Sequence, residues 1–189
     1  MNWNIPNSLT VLRILLIPVF VGIFYLPVDM LDPYWVNFSA TLVFSFAAMT
    51  DWLDGYLARR WNQISAFGAF LDPVADKLMV AAALIVLVEL ERTGAIVALI
   101  IIGREIAISA LREWMAGIGE RGSVAVASLG KIKTAVQMIA ILLLLYYDPI
   151  GVIDIKFLGE ILIYLAAFLT LLSMAYYLKA AWPQMRARK

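Results

Sequence analysis

The stretch DWLDGYLARRWNQISAFGAFLDPVADK (residues 51–77) holds four aspartates, Asp51, Asp54, Asp72 and Asp76, in a chain of 189 residues that is 63% hydrophobic. Ionisable groups in or beside lipid are costly and are functional candidates by default. Their spacing carries further information. On a helix advancing about 100° per residue, with Asp51 at zero, Asp54 falls at about −60°, Gly55 at about +40°, Ala58 at about −20° and Arg59 at about +80°. One helical face thus presents two carboxylates, two residues with little or no side chain, and a guanidinium. Asp72 and Asp76 are i, i+4 and share a face, with Gly68 one turn before them.

The remainder of the chain sets the surroundings of that stretch. Mean hydropathy is +0.88 and 15% of residues are charged, against about 25% in ordinary soluble domains. Apolar runs of roughly 20 residues, long enough to cross a bilayer, are expected at 9–28, 34–58, 70–91, 94–116, 124–147 and 157–181. The linkers are short, so residues 1–189 read as a single all-α domain, a polytopic membrane protein with six transmembrane helices. The first apolar segment has no basic region ahead of it and no small-residue cleavage site after it, and reads as a retained helix. Of 15 Lys and Arg, Arg104 lies near the middle of a segment; with a cytoplasmic N-terminus only Arg92 and Lys156 fall in outside loops and the other twelve at inside ends and loops. That bias places both termini in the cytoplasm. Pro and Gly gather at segment ends, as in LPVDMLDP and YYDPIGVID, where they mark turns.

Cysteine and histidine are both absent. Disulfides, thiolate metal sites and a cysteine nucleophile are thereby excluded, and any general base must be Asp, Glu, Lys or Tyr. The short cytoplasmic connection after Arg60 lets the two aspartate-bearing faces meet, with Asp51 and Asp76 each roughly 10 Å inside the membrane boundary at about 1.5 Å per residue. Four carboxylates converging there repel one another unless cations hold them. Mg²⁺ binds carboxylates together with substrate phosphates, and Arg59 beside such a cluster suits a diphosphate. Gly55 and Ala58 leave room for something bulky to approach, although small residues in membrane helices also serve simply to pack helices closely. A lone aspartate at a helix end is commonly a cap or a solvated charge; four in register with Gly and Arg are better explained as a metal-and-phosphate site.

At these residues the chain resembles the CDP-alcohol phosphatidyltransferase family, whose signature is D-x-x-D-G-x-x-A-R, eight or nine residues, then G-x-x-x-D-x-x-x-D. Asp51, Asp54, Gly55, Ala58, Arg59, Gly68, Asp72 and Asp76 meet every fixed position, with eight residues between Arg59 and Gly68. The resemblance implies that Asp51, Asp54, Asp72 and Asp76 ligate metal, Mg²⁺ or Mn²⁺ as two ions, with Asp76 also the general base. It implies that Gly55, Ala58, Arg59 and Gly68 contact CDP-diacylglycerol. It extends through NIPNSLTVLR, REIAISALREWMA and SVAVASLGKIKT, and there implies sn-glycerol 3-phosphate as acceptor, with phosphatidylglycerophosphate and CMP as products. A homodimer in the bacterial cytoplasmic (inner) membrane, with the site facing the cytoplasmic leaflet, is implied as well.

Two further groups are candidates. Asn7, Thr10 and Arg13 recur at i, i+3 and i+6 and resemble the family's stretch near the nucleotide, though capping and positive-inside anchoring explain much of them. Arg104, Lys131 and Lys133, with Arg112 and Arg121, are candidates for the acceptor phosphate. The alternative is that Arg104 pairs with an acidic neighbour such as Glu105 and the lysines snorkel to the interface. Other synthases of the family share the signature but take inositol phosphate, serine or phosphatidylglycerol. An ion-coupled transporter could also line a cavity with Asp and Arg, but transporters commonly bind near the midplane between internal repeats, and no repeat is visible here.

Overall fold

The structure is a computed structural model that describes residues 5–27, 29–60, 66–117 and 127–186. Its named elements are six α-helices: α1 Ile5–Ile23, α2 Pro33–Arg60, α3 Ala66–Glu89, α4 Ala95–Gly117, α5 Ala127–Tyr146 and α6 Ile155–Arg186. Each coincides with one of the six apolar segments. The all-α, six-helix expectation holds. Taken alone, one helix among the described residues, Ile155–Trp182, is long and apolar enough to cross a membrane. The shorter apolar stretches Asn7–Ile23 and Ile132–Tyr146 belong to α1 and α5.

Local chemistry explains the helix ends. Asp32 Oδ1 accepts from the Tyr34 amide at 2.9 Å, with Pro33 following as the first helical residue of α2, where its missing N–H is no loss. Asp154 does the same for α6, accepting from the Phe157 amide at 3.0 Å. Just past the ends of α3 and α5, Glu91 and Tyr147 take positive φ of 57° and 62°, the left-handed turn that closes many helices.

Helix α1 packs against α2 and α3, α4 against α3 and α6, and α5 against α2 and α6. Phe20, Phe44, Leu84, Leu87, Ile101, Ile141, Leu144 and Ile163 are fully buried between them. Alanines 40, 47, 83 and 140 are buried in the same core; small residues let helices approach closely. At Gly159 the packing of α6 on α5 is tight: a Cβ there would lie 2.9 Å from Leu144 Cδ2 and 3.2 Å from Leu143 Cβ, so a larger residue would force a shift.

One end of the bundle is fastened by Arg92, in the α3–α4 turn. Its guanidinium donates to the carbonyls of Leu144 and Leu145 at 3.1 and 2.9 Å and to Asn37 Oδ1 at 2.7 Å. Asn37 in turn donates to Asp148 at 2.9 Å, and Arg92 lies 4.2 Å from the Tyr147 ring centroid. Burial pushes the Arg92 guanidinium down from its ordinary value, opposed by Tyr147 and Asp148. At the same end Tyr25 donates to Glu89. These contacts gather the C-termini of α1, α3 and α5 with the N-termini of α2, α4 and α6, so the helices alternate in direction. The aspartates of α2 and α3 consequently share the other half of the bundle.

Candidate active site

Helix α1 ties the two aspartate-bearing helices together. Arg13 Nη1 lies 2.7 Å from Asp51 Oδ1, and Thr10 Oγ1 donates to Asp72 Oδ1. Thr10 and Arg13 are fully buried, at 0% and 1% exposure, and Asn7 on the same helix is buried at 5%. The polar stripe Asn7, Thr10, Arg13 thus lies inside the bundle, and two of its members grip one carboxylate each from α2 and α3. A buried guanidinium cannot shed its charge, and its proximity to Asp51 answers the cost of placing both there.

Asp76 is exposed. The charges that bear on it come from Asp51 on α2, Arg13 on α1, Glu105 on α4 and Lys77 on its own helix. Four helices therefore contribute to its electrostatic surroundings. Pro73 stands between Asp72 and Asp76 inside α3; lacking an N–H, it leaves the Ala69 carbonyl without its helical donor, and so opens the ladder beside Asp72. Gly68 is buried in the first turn of α3.

Asp54, Gly55, Ala58 and Arg59 lie on α2, but their side chains are outside those described. Among the described residues, from which the Asp54 side chain is missing, no three acidic side chains form a group able to hold a metal. The donor chemistry fits a hard cation nonetheless: the described aspartates Asp51, Asp72 and Asp76 offer only carboxylate oxygens, which suit Mg²⁺ or Mn²⁺.

A second cluster joins α4, α5 and α6. Lys133 Nζ donates to Glu105 Oε1, and Arg104 Nη1 reaches the same oxygen at 3.2 Å. Arg104 Nη2 donates to Ser173 Oγ at 3.1 Å. Lys133 is 1% and Arg104 6% exposed, so Lys133 does not snorkel to an interface. Arg104 does pair with an acidic neighbour, as the bland alternative expected, but its buried Nε has no hydrogen-bond partner among the described residues. Arg112, exposed on α4, donates to the Tyr177 hydroxyl at 3.2 Å. Lys131 is on α5 with its side chain outside those described, and Arg121 lies outside the described residues altogether.

Glu105, Ser173 and Tyr177 were not singled out as site residues by sequence reasoning. Glu105 had a signal, an acidic residue beside a mid-helix arginine. Ser173 and Tyr177 had none, being ordinary residues on a long apolar helix, brought to Arg104 only by the packing of α4 on α6. Glu105 joins Lys133 of α5 and Arg104 of α4 through one oxygen.

The sequence profile of the CDP-alcohol phosphatidyltransferase family matches residues 3–172. The chain is 52% identical over 183 residues to the CDP-diacylglycerol–glycerol-3-phosphate 3-phosphatidyltransferase of Escherichia coli (strain K12), covering 96% of each chain. The proteins of the same name from Shigella flexneri serotype 5b (strain 8401) and Shigella boydii serotype 4 (strain Sb227) match to the same identity and extent.

Proposed function

Because the chain belongs to the CDP-alcohol phosphatidyltransferase family, we propose that it carries out the reaction for which its relatives are named, and does so with the aspartates of α2 and α3. It transfers a phosphatidyl group from CDP-diacylglycerol to sn-glycerol 3-phosphate, giving phosphatidylglycerophosphate and CMP. The observation that carries the site assignment is the grip of Arg13 and Thr10 on Asp51 and Asp72, which draws α2 and α3 together at one half of the bundle.

Asp51, Asp54, Asp72 and Asp76 would hold two divalent cations, Mg²⁺ or Mn²⁺. When bound, such ions offset charge on the phosphoryl oxygens and on the leaving phosphate. Asp76 takes the proton from the acceptor hydroxyl. The hydroxyl oxygen forms the new bond to the lipid-side phosphorus as the bond from that phosphorus to the CMP oxygen breaks, and CMP departs with the electron pair. No enzyme nucleophile is needed. Arg59 holds the diphosphate, and Gly55, Ala58 and Gly68 leave space for the nucleotide. Asn7, Thr10 and Arg13 border the nucleotide side, Thr10 and Arg13 through the carboxylates they hold. Arg104, Lys131 and Lys133, with Arg112 and Arg121, bind the acceptor phosphate. The burial of Arg104 and Lys133 around one carboxylate supports this, since cations so placed favour an anionic partner.

The six helices of this single domain, residues 1–189, cross the membrane, and both termini are cytoplasmic; the Lys/Arg asymmetry supports that orientation. Exposed Phe157, Tyr164 and Phe168 on α6 suit contact with lipid. The site faces the cytoplasmic leaflet of the bacterial inner membrane, where a water-soluble acceptor and a lipid donor meet, and the protein works as a homodimer.

CMP release by the purified protein from CDP-diacylglycerol in detergent tests the reading, with glycerol 3-phosphate, inositol 1-phosphate, serine and phosphatidylglycerol compared as acceptors. Release with glycerol 3-phosphate alone, abolished by chelation and by Asp72→Asn, is expected. Release only with another acceptor would overturn the substrate, and release surviving chelation would overturn the metal. Asp76→Asn with near wild-type turnover would remove Asp76 from the base role.

A further inference from the structure

Tyr177 is a buried aromatic residue, 5% exposed, on the apolar helix α6. Two guanidiniums of α4 converge on it. Arg104 Cζ lies 5.5 Å and Arg112 Cζ 5.3 Å from its ring centroid, and Arg112 Nη2 also donates to its hydroxyl at 3.2 Å. Arg104 and Arg112 are eight residues apart in sequence, about 12 Å along a helix, and like charges gain nothing from approaching one another. A π face attracts a cation, more strongly when water is excluded. One ring on a neighbouring helix therefore gives both arginines a reason to lean toward the same place.

Ser173 stands one turn before Tyr177, at i and i+4 on the same face of α6. Its hydroxyl proton is committed to the Thr170 carbonyl at 2.9 Å, which leaves its lone pairs to accept from Arg104 Nη2 at 3.1 Å. Arg104 is thus fixed from two points on α6, while its buried Nε has no hydrogen-bond partner among the described residues. A fixed guanidinium with an uncommitted donor is suited to an incoming oxyanion.

We propose that Tyr177 is a positioning residue for the acceptor, its ring and hydroxyl holding Arg104 and Arg112 in the arrangement that receives the phosphate of glycerol 3-phosphate. The proposal rests on the assignment of these arginines to the acceptor phosphate. As a positioning residue Tyr177 has no part in the chemical step. Its effect is confined to the affinity for the acceptor, and so separates from a general loss of structure.

The test is steady-state CMP release by the full-length protein in detergent with Mg²⁺, varying glycerol 3-phosphate and CDP-diacylglycerol in turn, with inorganic phosphate as a competing probe. Tyr177→Phe keeps the ring and loses the acceptor for Arg112; KM for glycerol 3-phosphate and the inhibition constant of inorganic phosphate should both rise about threefold. Tyr177→Leu also loses the π face, and both should rise about tenfold or more. In both variants kcat and KM for CDP-diacylglycerol stay within about twofold of the wild type. In an Arg112→Gln background the Tyr177→Phe change should add nothing, since the bond it deletes is already gone.

If Tyr177→Leu does not fold, the Tyr177→Phe cycle decides alone, because removing one hydroxyl is mild. An unchanged KM for glycerol 3-phosphate in Tyr177→Phe, additivity with Arg112→Gln, or an equal fall in every kinetic parameter would overturn the positioning role while leaving the reaction intact. Wild-type protein silent with glycerol 3-phosphate but active with another acceptor would instead overturn the acceptor assignment, and this inference with it.

Discussion

Arg13 on α1 and Asp51 on α2 form an ion pair of 2.7 Å across 38 positions of sequence, with the guanidinium 1% exposed and the carboxylate 45% exposed. The two ends of the pair differ in freedom. Arg13 is enclosed and permanently charged, whereas Asp51 keeps an accessible side toward the site. Arg13 therefore sets where Asp51 stands and offsets part of the repulsion between Asp51 and Asp76.

Arg13→Gln should retain the fold but leave Asp51 without its counter-charge. Residues that orient metal-binding groups are worth about 10- to 100-fold in activity when lost, so kcat/KM for CDP-diacylglycerol should fall by about that factor. CMP release with the liponucleotide varied measures it. A variant within twofold of wild type would mean that the pair only anchors α1.

Thr10 is fully buried and gives its hydroxyl proton to Asp72. Hydrogen bonds to charged groups contribute about 1.5–3 kcal/mol, and each 1.36 kcal/mol is a factor of about ten in rate if the bond helps hold Asp72 in its working position. Thr10→Val keeps the shape and removes the donor; turnover should drop about tenfold. Thr10→Ser, which restores the hydroxyl, should recover most of it. Equal activity in Val and Ser variants would detach this bond from catalysis.

These two contacts also mark how far the sequence could be read. Charged side chains are conspicuous in an apolar chain, so Asp51, Asp72, Arg104 and Lys133 declared themselves by the cost of their position. The contacts that hold them did not. The sequence shows Thr10 only as part of the stripe with Asn7 and Arg13, without its bond to Asp72, and does not mark Tyr177 at all; both contacts arise from helix packing between distant segments. Helix boundaries divide in the same way. The apolar run 94–116 anticipated α4, Ala95–Gly117, to within a residue at each end. The run 9–28 overshot α1, which ends at Ile23; the Phe24 and Tyr25 amides bond instead to the Val21 and Gly22 carbonyls three residues back. Hydropathy registers the apolar residues beyond Ile23 but not the tightening of the backbone. At its other end α1 begins at Ile5, ahead of the apolar run, and includes the polar residues Asn7 and Ser8.

Arg92 offers a contrast with the site residues. It satisfies the end carbonyls of α5 and binds Asn37 of α2 from the α3–α4 turn, so it joins three parts of the bundle far from the aspartates. Arg92→Ala strands those carbonyls and should lower stability by about 3 kcal/mol, two or three charge-assisted bonds discounted for partial exposure. Thermal unfolding in detergent should show a clear fall in Tm, while CMP release below the transition stays within about twofold of wild type. A variant with normal Tm and impaired turnover would tie this end of the bundle to catalysis instead.

Glu105 poses the sharpest electrostatic question, because its carboxylate stands between the cations proposed to receive the acceptor's phosphate. Its Oε1 takes both Lys133 and Arg104, and its side chain is 26% exposed. Two buried cations without it would repel each other and lack a counter-charge. Glu105→Gln should therefore destabilise the protein by about 2 kcal/mol, below the range for a fully buried pair because Glu105 is partly exposed. An anion supplied from outside can replace the missing charge, and a ligand stabilises the state it binds in proportion to its affinity. Saturating glycerol 3-phosphate should thus raise the Tm of Glu105→Gln by more than it raises that of the wild type. Unfolding curves of both proteins, with and without glycerol 3-phosphate, measure the difference. Equal rises would show that Glu105 and the acceptor phosphate do not share the same cations, and would move the acceptor pocket away from Arg104 and Lys133.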